Sequence, residues 1–132
     1  MNCDILIHCG WLLPMRKEKF EVLEKHSLAI QGGKICWIGP TSQSSHFQSA
    51  KIIEARDSAV LPGLINMHTH HSMSLFRGLA DDLPFQEWLF QNILPLEARL
   101  VSPEFVRLGA KLSAAESILR GVTTHCDMYY FQ

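Results

Sequence analysis

The sequence predicts an α/β protein, with a small β region first and then the opening strand, helices and second strand of a βα repeat. Three observations carry this. Two apolar runs, residues 27–30 and 35–38, are joined through Gly32-Gly33. A continuous apolar stretch at 60–67 leads to a well-capped helical pattern at 103–120. A further run that reads as a buried strand, Val122-Thr123-Thr124-His125-Cys126, follows that helix directly. Strand, helix, strand in this order is how a parallel sheet is built.

Residues 4–8, containing Ile5-Leu6-Ile7, read as the first strand. Residues 27–30 and 35–38 read as a hairpin, because glycine accepts the positive φ that a tight hairpin turn needs. Gly39-Pro40 ends the second of these strands. Residues 41–49 are polar and read as a loop, and 51–54 as one more strand. So small a sheet needs another layer to pack on. The composition changes near Ala59, dividing the chain into 1–58 and 59–132. Residues 60–67 suit a strand buried on both faces, as in a parallel sheet. Residues 85–94 read as a short helix. The longer helix has Ser102 as N-cap, Pro103 at its first position, Glu104 near its positive end, and a staple between Val101 and Val106. Phe105, Leu108, Leu112, Ala115 and Leu119 recur at helical spacing, and Gly121 supplies the stop.

The chain has 132 residues, the length of one ordinary domain. Its 47% hydrophobic content suffices for a packed core and excludes wholesale disorder. Twelve Lys plus Arg against thirteen Asp plus Glu leave a net charge of −1. That balance argues against a nucleic-acid partner bound by phosphate neutralisation. No run of about eighteen apolar residues is present to span a membrane. The N-terminus lacks the basic start and apolar stretch of a signal peptide. The expectation is a cytoplasmic protein. Cys3, Cys9, Cys36 and Cys126 form no Cys-x-x-Cys pair and are expected as buried, reduced thiols.

The sharpest chemical feature is His68-Thr69-His70 at the end of an apolar strand. Strand side chains alternate, so His68 and His70 share a face while Met67 and Thr69 take the other. Two converging imidazoles can share one metal ion. Alone, a His-x-His pair is met as readily by structural histidines. The apolar strand, the Pro62-Gly63 before it and the carboxyl-end position strengthen the metal reading, because active sites of (β/α)8 barrels lie at that end. His71 points away from the pair in a regular strand. His125 fits a core or supporting role, and His8, His26 and His46 fit surface or packing roles. Arg77, Asp81 and Asp82 read as a solvated cluster. Asp127, ending the second strand, fits a supporting role at the same face.

The run Leu61-Pro62-Gly63-Leu64-Ile65-Asn66-Met67-His68-Thr69-His70 resembles the first barrel strand of the amidohydrolase superfamily. Further segments narrow the resemblance: residues 75–84, Glu87-Trp88-Leu89, Pro95-Leu96-Glu97-Ala98-Arg99, and Gly121-Val122-Thr123-Thr124 ahead of Asp127-Met128-Tyr129. Together they look like the 5′-methylthioadenosine/S-adenosylhomocysteine deaminases and the related triazine chlorohydrolases. The hairpin Gly32-Gly33-Lys34-Ile35 matches the small β domain before the barrel in that family. The resemblance implies a small β-sandwich part at 1–58 and the first βα units of a metal-dependent (β/α)8 barrel at 59–132. It also implies one zinc ion, or alternatively iron, with His68 and His70 as two of its ligands. The reaction implied is hydrolytic deamination of adenosine thioethers to the inosine analogue plus ammonia. Glu97 corresponds to the family's ribose-binding glutamate, since a carboxylate offers two acceptor oxygens to a diol. Its alternative is an exposed helix-end charge. Trp88 corresponds to a wall of the thioether or base pocket, and its alternative is a core aromatic.

The family's third histidine, ligand aspartate and proton-shuttling glutamate have no counterpart in these residues. No catalytic residue is therefore assigned, and the chain alone is expected to be an inactive, truncated portion of an enzyme. The readings kept beside the deaminase are a triazine chlorohydrolase, a guanine or cytosine deaminase, and a non-catalytic pseudo-enzyme. The partner expected is a small-molecule substrate, with a homo-oligomer open for the complete protein.

Overall fold

The computed structural model describes residues 1–17 and 19–131. They form two compact units, Met1–Pro62 and Gly63–Gln132. The division falls after Pro62 because the last strand of the first unit runs past Ala59 to Val60.

In the first unit, β1 (Asn2–Leu12) is central. It pairs antiparallel with β2 (Leu23–Glu24) and β3 (His26–Gln31), and parallel with β5 (Gln48–Val60). β3 pairs antiparallel with β4 (Lys34–Pro40). The hairpin turn has φ of 57° at Gly32 and 74° at Gly33. These are the two positive φ values of a type I′ turn, whose twist matches that of the flanking strands. Two apolar clusters form the core, one on Cys3, Leu6 and Ala29 and one on Cys9, Leu12 and Leu28.

Three expectations change in this unit. Thr41–His46 is a 3-10 turn rather than a loop. β5 spans 13 residues rather than the four expected, because it follows β1 along its length. The register of that pair shifts at Gly10, where a side chain would collide with the Arg56 carbonyl. The described residues of the unit form one five-stranded sheet, so the facing layer of the expected sandwich is not among them.

In the second unit, β6 (Leu64–Thr69) and β7 (Val122–Asp127) form a parallel pair. Between them lie a 3-10 turn (His71–Phe76), a π-helical segment (Glu87–Ile93), α1 (Leu94–Leu100) and α2 (Pro103–Leu119). The short helix does not stop at Leu94 as expected but continues through Pro95 to Leu100. A proline lacks the N–H and crowds the carbonyl one turn back. The wider π-helical turn just before it accommodates this, and such insertions recur at functional sites.

α2 begins as the sequence predicts. Ser102 Oγ accepts the Phe105 N–H at 3.2 Å, and Gly121 takes a φ of 78° after the helix. Its Gly109 lies against the 3-10 turn, where an added Cβ would sit 2.6 Å from Ser72 Cα. Three hydroxyls tie the two together. Ser72 donates to the Val106 carbonyl at 3.0 Å, Ser74 to Gly109 at 3.3 Å, and Ser113 to His71 at 2.7 Å.

β6 was expected to be buried on both faces. Instead Leu64, Ile65 and Met67 are exposed, because β7 is the strand's one partner among the described residues. Of the four free cysteines, Cys3 and Cys9 are buried as expected, while Cys36 and Cys126 are exposed. None of the described helices is long and apolar enough to cross a membrane.

Candidate functional site

The carboxyl ends of β6 and β7 bring the chemically capable side chains together. His68 near the end of β6 and His70 just past it come together, with ring centres 5.1 Å apart and planes at 82°. Two imidazoles bound end-on to one tetrahedral metal, at Zn–N distances of about 2.0–2.1 Å, place their ring centres roughly 5 Å apart. The pair therefore fits as two ligands of one ion. A catalytic zinc takes three protein ligands. Among the described residues no group of three His, Cys, Asp or Glu side chains could hold a metal.

His70 is oriented by its backbone surroundings. Its Nδ1 lies 2.7 Å from the Met128 carbonyl. A carbonyl only accepts, so Nδ1 carries the proton and Nε2 presents its lone pair. The Met128 N–H is itself held by the Thr69 carbonyl at 2.9 Å and by Asp127 Oδ1 at 3.0 Å. Asp127 Oδ1 also accepts the His71 N–H at 3.1 Å. Asp127 thus braces the backbone on both sides of the histidine site, the supporting role expected from its place on the strand.

His71 turns away from the His68–His70 pair and meets His125, Nε2 to Nδ1, at 3.0 Å. One nitrogen donates and the other accepts, so at least one ring is neutral. Burial first, and then the neighbouring His125, hold His71 below the usual imidazole value, with Asp127 pulling the other way.

A cavity of about 560 Å³ lies beside this face, with His70, Trp88, Glu97, Met128, Tyr129 and Tyr130 among its lining residues. Glu97 is not an exposed helix-end charge: it is half-buried within α1, and its Oε1 accepts the Tyr129 hydroxyl at 2.7 Å. Burial first, and then the Glu97 carboxylate, push the Tyr129 phenol well above its ordinary value. Trp88, on the π-helical segment, lines the cavity with Phe85 6.0 Å away. His68 is not among the lining residues, so the structure brings His70, Trp88 and Glu97 to one cavity and His68 beside it.

The remaining sequence candidates lie elsewhere. Arg77 is not simply solvated: it makes a two-pronged pair with Glu116 at 3.0 and 2.7 Å. That contact raises the arginine's pKa and lowers the glutamate's. Asp81 and Asp82 are exposed. In the first unit His8 is buried, with Nδ1 2.7 Å from Ser27 Oγ. His26 contacts the Glu24 carbonyl, and His46 packs on Trp37 and Phe47.

Two features escaped the sequence reading: the Met128 carbonyl behind His70 and the Tyr129 hydroxyl on Glu97. The available signal was period-two alternation, which carries His125 and Asp127 on to position 129.

The chain is 48% identical over 132 residues to a 5-methylthioadenosine/S-adenosylhomocysteine deaminase of Syntrophobacter fumaroxidans, covering 99% of this chain and 30% of that protein. A crystal structure of an adenosine deaminase from Xanthomonas campestris with bound zinc matches with a TM-score of 0.88 and 41% identity, covering 98% of this chain and 30% of that one. An atrazine chlorohydrolase from Arthrobacter aurescens, complexed with zinc and atraton, matches with a TM-score of 0.77 and 27% identity over 96% of this chain and 29% of that one. The chain thus spans about 30% of the length of these relatives. The model of the amidohydrolase family matches residues 59–132, and the chain belongs to that family.

Proposed function

We propose that these residues supply two metal ligands and one wall of the substrate cavity of an enzyme that hydrolytically deaminates adenosine thioethers. In the reaction, 5′-methylthioadenosine or S-adenosylhomocysteine and water give the inosine analogue and ammonia. β6 and β7 would be the first strands of the (β/α)8 barrel, and the first unit a part of the β-sandwich before it. His68 and His70 would hold zinc, or alternatively iron, which when bound activates water for hydrolysis near neutral pH. His70 is prepared for this by the Met128 carbonyl, which leaves Nε2 facing out. Glu97 accepts the two ribose hydroxyls, and Trp88 covers the apolar part of the nucleoside. The proposal places the enzyme in the cytoplasm.

The observation that carries the reading is the convergence of His70 and Glu97 on one cavity. A carboxylate there matches a ribosyl substrate. Triazines and free guanine or cytosine have no vicinal diol, which places those readings second. The 132 residues alone read as non-catalytic, because His68 and His70 are two ligands where three are needed.

The test is ammonia release by the complete enzyme from 5′-methylthioadenosine, free adenine and a chlorotriazine. The expected kcat/KM for the nucleoside exceeds that for adenine by about 10⁴-fold or more, the scale of discrimination when a polar group built to pair is left without its partner. Preference for adenine or the triazine contradicts the reading.

A further inference from the structure

We propose that Tyr129 is a positioning residue for substrate selection: its hydroxyl fixes the Glu97 carboxylate in the orientation that receives the ribose hydroxyls. The inference rests on the reading of Glu97 as the diol-binding group.

The geometry links three elements. Glu97 stands on α1 and Tyr129 follows the end of β7, and the 2.7 Å hydrogen bond joins them across 32 residues of sequence. Both side chains line the cavity that His70 also lines. The backbone beneath Tyr129 is fixed by its neighbour Met128, whose N–H is held by Thr69 and Asp127 and whose carbonyl orients His70. The Tyr129 ring itself stands edge-on to Tyr130 at 4.9 Å and lies 6.1 Å from the His70 ring. One short stretch of backbone therefore sets both the metal-facing nitrogen of His70 and the donor that holds Glu97.

The chemistry suits positioning rather than reaction. A glutamate has three rotatable side-chain bonds and loses substantial rotamer freedom when ordered. A phenol donor to one oxygen restricts those rotamers before substrate arrives, which is how preorganisation improves binding. An ionised carboxylate has about four acceptor positions. Tyr129 occupies one and leaves enough for two hydroxyls. An ionised carboxylate only accepts, so the Tyr129 hydroxyl 2.7 Å from Glu97 Oε1 is the donor of the pair.

The test is a double-mutant cycle in the complete enzyme with Tyr129→Phe and Glu97→Gln. Tyr129→Phe is expected to raise KM for 5′-methylthioadenosine about tenfold while kcat falls less than about threefold, as for a lost charge-assisted hydrogen bond that acts on binding. With the 2′,3′-dideoxy counterpart the same variant is expected to change KM less than about twofold, and in the Glu97→Gln background it adds less than about twofold. An unchanged KM, equal losses on both substrates, or additive losses overturn the inference while leaving the Glu97 reading in place. A Glu97→Gln enzyme with wild-type KM overturns the Glu97 reading and the inference with it. The contact itself is read without turnover from tyrosine labelled with carbon-13 at Cζ, assigned by the resonance lost in Tyr129→Phe. Glu97→Gln is expected to shift that resonance at neutral pH, because the phenol loses its carboxylate acceptor, and an unmoved resonance overturns the inference whatever the activity.

Discussion

The Met128 carbonyl decides which nitrogen of His70 can bind a metal. By accepting from Nδ1 it commits the ring to one tautomer, and it is held in place through Asp127. Replacing Asp127 by Ala removes the acceptor for two backbone N–H groups and loosens that carbonyl. The expected consequence is a loss of metal affinity of about tenfold or more, with His68 and His70 intact, because supporting partners of ligand histidines contribute on this scale. Competition with a chelator of known affinity measures it, and unchanged zinc affinity would contradict the role. Glu97→Gln is expected to leave zinc content as in the wild type, since Glu97 is proposed to receive the ribose and its carboxylate is bonded to Tyr129; zinc loss, seen by elemental analysis, would contradict its placement. The His-x-His pair was legible because strand alternation is local. The partners of His70 and Glu97 were not, because Met128 and Tyr129 lie 58 and 32 residues away from them in sequence.

Among the elements, α2 and the 3-10 turn after β6 meet backbone to backbone at Gly109 and Ser72. In an exposed helix Gly→Ala stabilises by about 1 kcal/mol through propensity. At Gly109 the added methyl meets the backbone of Ser72, which cannot swing aside as a side chain would. The clash outweighs the propensity gain, and Gly109→Ala is expected to destabilise by about 1–3 kcal/mol, the usual scale of overpacking. A lowered thermal midpoint checks this, and a raised one contradicts the packing. Ser102→Ala removes the cap of α2 and is expected to cost about 1 kcal/mol, read from the same unfolding curves. The start of α2 and the Gly32-Gly33 hairpin were legible because caps and turns are written in adjacent residues. The length of β5 was not, because its partner residues on β1 lie 46 to 48 positions earlier and most of its outward side chains are polar. The passage of the helix through Pro95 was hidden too, since proline ordinarily ends a helix and the π-helical adjustment has no local signature.

For the molecule as a whole, the sequence anticipated a parallel strand pair with a helical crossover and misjudged its burial. Continuous apolar runs such as Leu64-Ile65 mark strands destined for two covered faces. Here Ile65 is 61% and Met67 72% exposed, because β6 and β7 pair with no other described strand. Apolar strand faces and open edges of this kind drive association. The 132-residue chain in isolation is expected to self-associate on gel filtration with light scattering and to show no turnover; a monodisperse monomer that deaminates nucleosides would contradict both statements. His68 and His70 are proposed to hold the metal of a hydrolytic deaminase. That role is tested most directly by the zinc content of the complete enzyme and of its His70→Ala variant after exhaustive dialysis. About one zinc is expected per wild-type chain and less than about a tenth of that in the variant, as when one of three or four ligands is removed. A His70→Ala enzyme that retains a full zinc would contradict it.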